Sequence, residues 1–203
     1  MNKSMFRKIL LALILSLFFQ NGVKSQYFSG GILIGFTGSQ LDGDQMVGYN
    51  KFGFSGGMFV RRQLNEKYAI LGEIKYIMKG SAKNDSLALN SFKISLSYFE
   101  IPILLNYRFL KKLEGEAGFA AAYLANATRV LAEGDFQDNS INKLDFSYVI
   151  GLNYLVTEKF RLNLKFSHSV QKVSFNLPTN ITFFGPNGGQ FNNVLEFVVK
   201  LTL

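Results

Sequence analysis

The 203-residue chain carries 22 basic and 14 acidic side chains, one histidine and no cysteine, which excludes disulfides and a lipid-carrying N-terminal cysteine and leaves the fold to its own packing or its surroundings. Four of the bases (Lys3, Arg7, Lys8, Lys24) and none of the acids fall in the first 25 residues, so the other 178 hold 18 bases against 14 acids. These bases are dispersed, with Arg61-Arg62 and Lys111-Lys112 as the adjacent pairs, which argues against a surface that tracks nucleic-acid phosphates.

Residues 1–25 have the layout of a secretory signal. Lys3, Arg7 and Lys8 precede the apolar run ILLALILSLFF (9–19), and Val23-Lys24-Ser25 supplies a small residue for cleavage before Gln26. The run is about half the ~20 residues that a spanning helix needs. The expected organisation is a signal over 1–25 and one domain over 26–203.

From Tyr27 onward the apolar pattern has period two, the spacing of strands. Eight segments follow: 28–38, 52–63, 68–79, 92–109, 113–124, 143–154, 160–170 and 191–203. The sixth is the clearest, with Leu144, Phe146, Tyr148, Ile150, Leu152 and Tyr154 on one face and Asp145, Ser147, Val149, Gly151 and Asn153 on the other. In the fourth, apolar residues occupy even positions through Tyr98 and odd positions from Phe99, so a β-bulge at Tyr98-Phe99 is expected to restore the facing.

The connections alternate. Those at 64–67, 110–112 and 155–159 are tight, whereas those at 39–51, 80–91, 125–142 and 171–190 are long and polar. Short turns, long loops and an even number of roughly 10-residue strands predict an all-β, eight-stranded antiparallel up-and-down transmembrane β-barrel in a Gram-negative outer membrane, with both termini periplasmic. The competing architecture is a soluble β-sandwich, whose polar face would meet water.

A narrow barrel must fill its lumen and neutralise it. Strand parity puts Glu73, Glu100, Glu116, Asp145 and Glu196 on the inward face with Arg61, Lys75, Arg108, Arg161, Lys165 and Lys200, so five acids meet six bases in an expected lumen charge network. Gly31, Gly35, Gly57, Gly118, Ala120, Ala122 and Gly151 on that face leave room for the long side chains. On the apolar face, Tyr68, Tyr107, Tyr154 and Phe160 are expected at the periplasmic rim, and Phe36, Phe54, Tyr76, Tyr123 and Phe146 at the outer one.

His168 is the one imidazole, and parity puts it on the apolar face at the outer end of the seventh segment, where an interfacial role is expected. A lipid A deacylase, the barrel enzyme to weigh here, needs a His-x-Ser motif facing the lipid. This chain has Val170 at that position and turns Ser169 to the other face. Inward acids such as Glu73 and Glu116 are expected to pair ionically, since eight strands leave little space for a substrate. Asp42-Gly43-Asp44 reads as a loop turn with weak potential for a cation. No cofactor or metal is expected, and no nucleic-acid partner.

Three stretches resemble the PorT-type outer-membrane β-barrels of Bacteroidota: Gly53-Phe54-Ser55-Gly56-Gly57, Tyr76-Ile77-Met78-Lys79-Gly80 and Tyr98-Phe99-Glu100-Ile101-Pro102-Ile103-Leu104-Leu105. The likeness spans the expected mature chain. It implies an eight-stranded barrel of OmpA or OmpX type with periplasmic termini. The family is broad, and membership does not by itself assign the job of its namesake, an accessory protein of type IX secretion and gliding. The expected role is a structural or accessory one in the cell envelope, with type IX secretion or another envelope complex as the process to test. The expected partners are outer-membrane lipid, lipopolysaccharide and other envelope or secretion proteins. Two alternatives stand beside it: an OmpX-like adhesion barrel acting through its extracellular loops, and a lipid A-modifying enzyme.

Overall fold

The structure, a computed structural model, describes residues 28–43, 48–83, 92–131, 134–137, 141–173 and 189–203. The expected signal and its cleavage site lie outside them. The described residues form nine strands: β1 (Phe28–Asp42), β2 (Lys51–Gln63), β3 (Tyr68–Lys83), β4 (Phe92–Leu110), β5 (Leu113–Leu131), β6 (Gly134–Gln137), β7 (Leu144–Leu155), β8 (Phe160–Ser169) and β9 (Phe191–Thr202). Every pairing is antiparallel. The order β4-β3-β2-β1-β9-β8-β7-β5 is closed by β4 against β5, which gives a barrel of eight strands. Closure leaves no open edge around the wall, as a lipid-exposed sheet requires.

The short β6 lies outside this circuit and pairs with the end of β5, from Thr128↔Gln137 to Leu131↔Gly134. It was not expected, and β1, β3 and β5 run past their predicted ends to Asp42, Lys83 and Leu131. Apolar periodicity marks the part of a strand that lipid touches. It carries no signal for a strand that continues beyond the membrane.

Phe28 and Leu203 lie at the end of the barrel with the tight turns, where Leu203 N–H donates to Gly30 O at 3.0 Å. The facing is inverted relative to a water-soluble fold. Outward Phe36, Ile103 and Phe119 are 72%, 62% and 71% exposed, whereas inward Glu73, Glu100 and Lys165 are 1–2% exposed. A sandwich would bury the first set and solvate the second, so lipid is the medium that suits this wall. Aromatic rings cluster at both ends of it: Tyr68 lies 5.0 Å from Tyr107 near the tight turns, and Tyr76 lies 5.7 Å from Phe54 and 5.8 Å from Phe99 at the opposite end.

The predicted phase change is resolved differently. Ser97 pairs with Asn126 and Tyr98 with Leu124, so the extra residue is Ala125 on β5, and β4 keeps its facing throughout. Ile94, Leu96 and Tyr98 therefore stay inward with Glu100 and Leu104, and all five are buried. The even-numbered apolar run does not face lipid. It caps the lumen at the long-connection end, packed with Leu41, Ile77, Ala127 and Val173.

The barrel lumen as the candidate functional site

Two apolar layers and a charge ladder fill the interior. Leu33, Phe59, Leu71, Leu104, Val149 and Val198 form the second apolar layer. Glycine makes room where large groups cross: a Cβ on Gly31 would sit 2.8 Å from the Phe59 ring, and one on Gly151 would sit 2.8 Å from Glu116 Oε1.

Strand register brings the predicted charges together across the lumen. Lys165 Nζ lies 2.6 Å from Glu73 and 4.0 Å from Glu116, and Lys200 Nζ reaches the same two carboxylates at 2.9 and 3.5 Å. Lys75 bridges Glu196 (2.6 Å), Glu100 (3.3 Å) and Glu73 (3.9 Å). Glu116 also accepts hydrogen bonds from the side-chain amides of Asn153 and Asn163, at 2.8 and 2.9 Å. Buried charges tolerate this low-polarity setting because each has several partners.

Two members were missing from the expected network. Lys79 is buried and links Glu100 (2.6 Å) to Asp145 (3.3 Å), which extends the ladder to the apolar cap. Glu114 is fully buried at the tight-turn end and takes both Arg61, through two hydrogen bonds of 2.7 and 3.1 Å, and Arg108, at 2.7 and 2.9 Å. Parity would have found both. Their places beside a polar connection make them read as surface residues.

Arg108 and Arg161 are less enclosed than the rest. The Arg108 side chain is 34% exposed. Arg161 is half-buried and donates from Nη1 to Thr202 Oγ1 at 3.0 Å.

His168 has the predicted outward parity and the predicted end of β8, but it is 2% exposed rather than interfacial. Its ring stacks on Phe191 at 5.8 Å and packs 5.6 Å from Tyr148. Above it, Asn193 accepts a hydrogen bond from the Tyr49 hydroxyl at 2.8 Å, and burial raises the pKa of that hydroxyl above the ordinary phenol value. Ser169 is buried on the lumen side, where its Oγ accepts from Asn192 N–H at 3.1 Å, while Val170 is 57% exposed. Among the described residues no group of three His, Cys, Asp or Glu could hold a metal ion. Asp44 lies outside them.

An inverted, closed, eight-stranded wall of this kind matches the family described as outer membrane protein beta-barrel domain over residues 18–174. The chain belongs to that family. This barrel is therefore an outer-membrane protein whose apolar wall contacts lipid. Among solved structures it is similar to Ail, the attachment invasion locus protein of Yersinia pestis, with a TM-score of 0.53 and 14% identity over 87% of this chain and 99% of that one. It is also similar to Neisserial surface protein A, with a TM-score of 0.51 and 11% identity over 87% and 97% of the two chains. At these identities the likeness concerns the fold. No curated protein matches the sequence.

Proposed function

We propose that this barrel is a non-enzymatic outer-membrane protein that serves the envelope by recognition at its long-connection end. The carrying observation is where free surface remains. The lumen is occupied by its own side chains, whereas β4 and β5 are 19 residues each. A tilted strand of about 10 residues already crosses the roughly 25 Å apolar band. On β4 the lipid-facing apolar positions stop at Phe99, beyond which the outward positions are Ser97, which is itself buried, and then Ser95 and Lys93. Their neighbours on β5 are Asn126, Thr128 and Val130. β4 and β5 thus run on past the membrane with Ser95, Lys93, Asn126 and Thr128 on their outer side.

The finer reading has this surface supporting type IX secretion or another envelope complex, in line with the resemblance to PorT-type barrels, with envelope proteins and lipopolysaccharide as partners. Adhesion in the manner of OmpX is the alternative use of the same surface. The tight-turn end and both termini then face the periplasm, as the turn lengths suggest. Burial of His168 between aromatic rings, and a valine at the position where a deacylase carries serine, favour binding over lipid chemistry.

The experiment replaces the outward polar residues Lys93, Ser95, Asn126 and Thr128 by alanine and leaves the buried cap residues Ile94, Leu96 and Ala127 in place. Folding should survive, read as heat-modifiable migration. Co-purification with a larger outer-membrane complex, or surface attachment of cells, should be lost. Retention of both by the substituted barrel, or a lipid A acyl loss that depends on His168, would overturn the reading.

A further inference from the structure

The lumen charges are not evenly matched along the barrel. In the ladder, Lys75, Lys79, Lys165 and Lys200 meet the five carboxylates Glu73, Glu100, Glu116, Asp145 and Glu196, a balance of −1. At the tight-turn mouth, among the described lumen residues, Arg61 and Arg108 hold Glu114 and Arg161 lies within its electrostatic reach, a balance of +2. Arg61 and Arg108 hold Glu114 directly and repel Arg161.

Among the described residues Arg161 has no carboxylate within ion-pair distance. One of its nitrogens donates to Thr202 Oγ1, and its Nε is buried with no hydrogen-bond partner. A buried, unmatched guanidinium N–H beside two like charges is costly unless something satisfies it. Beside Arg108 a cleft of about 760 Å³ is lined by Gln63, Leu64, Asn65, Glu66 and Lys111, so amide donors flank the mouth and the charges of Glu66 and Lys111 offset one another.

We propose that this arginine mouth is an oxyanion-binding site, which takes the carboxylate or phosphate group of a ligand entering from the tight-turn end. The guanidinium fork matches either group with two parallel N–H donors. A carboxylate balances half of the excess charge and a phosphate most of it, and either satisfies Arg161 Nε. The site goes beyond recognition at the opposite end of the barrel and does not depend on it.

The test uses the full chain, folded in octyl glucoside micelles that carry no phosphate, and follows the arginine Nε–H signals by NMR. Sodium phosphate, acetate and chloride are titrated at constant ionic strength. The expected result is a saturable shift of the Arg161 signal with phosphate or acetate and none with chloride, the tighter of the two arms assigning the ligand class. Arg161→Gln should weaken binding, read on the Arg108 signal, by about tenfold or more. Arg62→Gln should leave it unchanged, since Arg62 lies over the Phe28 ring outside the lumen. Arg161→Lys, which keeps the charge and loses the fork, is expected to bind in between. Equal, non-saturating shifts in all three salts, or an unaltered curve in Arg161→Gln, would overturn the proposal.

Discussion

Lys165 Nζ lies 2.6 Å from both carboxylate oxygens of Glu73, across the lumen from β8 to β3 and 92 residues away in sequence. Glu73 is also the acid nearest Lys200, whereas Lys165 has Glu116 only at 4.0 Å as a second partner. Removing one member of a buried pair strands the other, at a cost of about 3–5 kcal/mol. Glu73→Gln leaves Lys165 and Lys200 with Glu116 alone, at 4.0 and 3.5 Å, while Lys165→Met leaves Glu73 with Lys200 and Lys75. Glu73→Gln should therefore be the more destabilising change in urea unfolding from lipid vesicles, and the double change Glu73→Leu with Lys165→Met milder than either sum. Equal midpoints for wild type and Glu73→Gln would refute the ladder.

Glu114 sets a second ranking. Arg61 is buried and holds it with two nitrogens, but the Arg108 side chain is about one-third exposed. Exposed pairs contribute roughly 0–1 kcal/mol, and buried ones far more. Arg61→Leu should cost several kcal/mol and Arg108→Leu about 1 kcal/mol or less, measured by the same unfolding. The reverse order would mean that the mouth is solvated down to Glu114.

The eight wall strands and their facing were legible in the sequence because lipid on one side and a charged lumen on the other force a strict alternation. The ends were not. Leu41, Ile94 and Leu96 are apolar and inward, so a rule that equates apolar with lipid-facing assigns Ile94 and Leu96 to the wrong side. The phase break at Tyr98-Phe99 was visible, but the inserted residue is Ala125 on the neighbouring strand, which lies in a stretch the pattern reads as loop. Nor could composition show that Arg61 and Arg108 share one acid with Arg161 close by, since they come from three strands that only closure brings together.

Deleting Ala125 tests the bulge. Without it, Leu124 and Asn126 become neighbours opposite Tyr98 and Ser97, so the ladder runs on regularly and Asn126 stays outward and Ala127 inward. The single deletion should therefore leave the unfolding midpoint close to that of the wild type. Deleting Ala125 and Asn126 together should turn Ala127 outward and Thr128 into the apolar cap, where a hydroxyl without a partner costs about 1–3 kcal/mol, and lower the midpoint. A single deletion as destabilising as the double one would show that Ala125 is not the inserted residue.

Orientation can be read on intact cells. A protease-cleavable tag after Asp135, in the raised β6 segment, should be cut from outside. The same tag within 65–67, at the tight turn between β2 and β3, should be cut only after the outer membrane is permeabilised. The opposite pattern would put the termini outside.

The occupied lumen makes the last prediction, that the barrel conducts no steady ion current. An eight-stranded wall encloses little more than its own side chains. Here Phe59, Leu71 and Leu104 are at most 2% exposed, and the ladder above and between them is closed by contacts of 2.6–4.0 Å. An ion entering the lumen would have to break a buried lysine–carboxylate pair without water to replace it. Changing all three apolar residues to alanine removes a packed layer at about 2–5 kcal/mol per site. It leaves Lys75, Lys79, Lys165 and Lys200 in place, so the variant should unfold earlier and still show no stable open level in planar bilayers. Only a variant that also cuts the ladder, such as one with Lys165→Ala and Glu73→Ala added, should produce brief openings. A stable open level in the wild type at neutral pH would show that the pairs exchange with water, and the barrel would then have to be read as a pore.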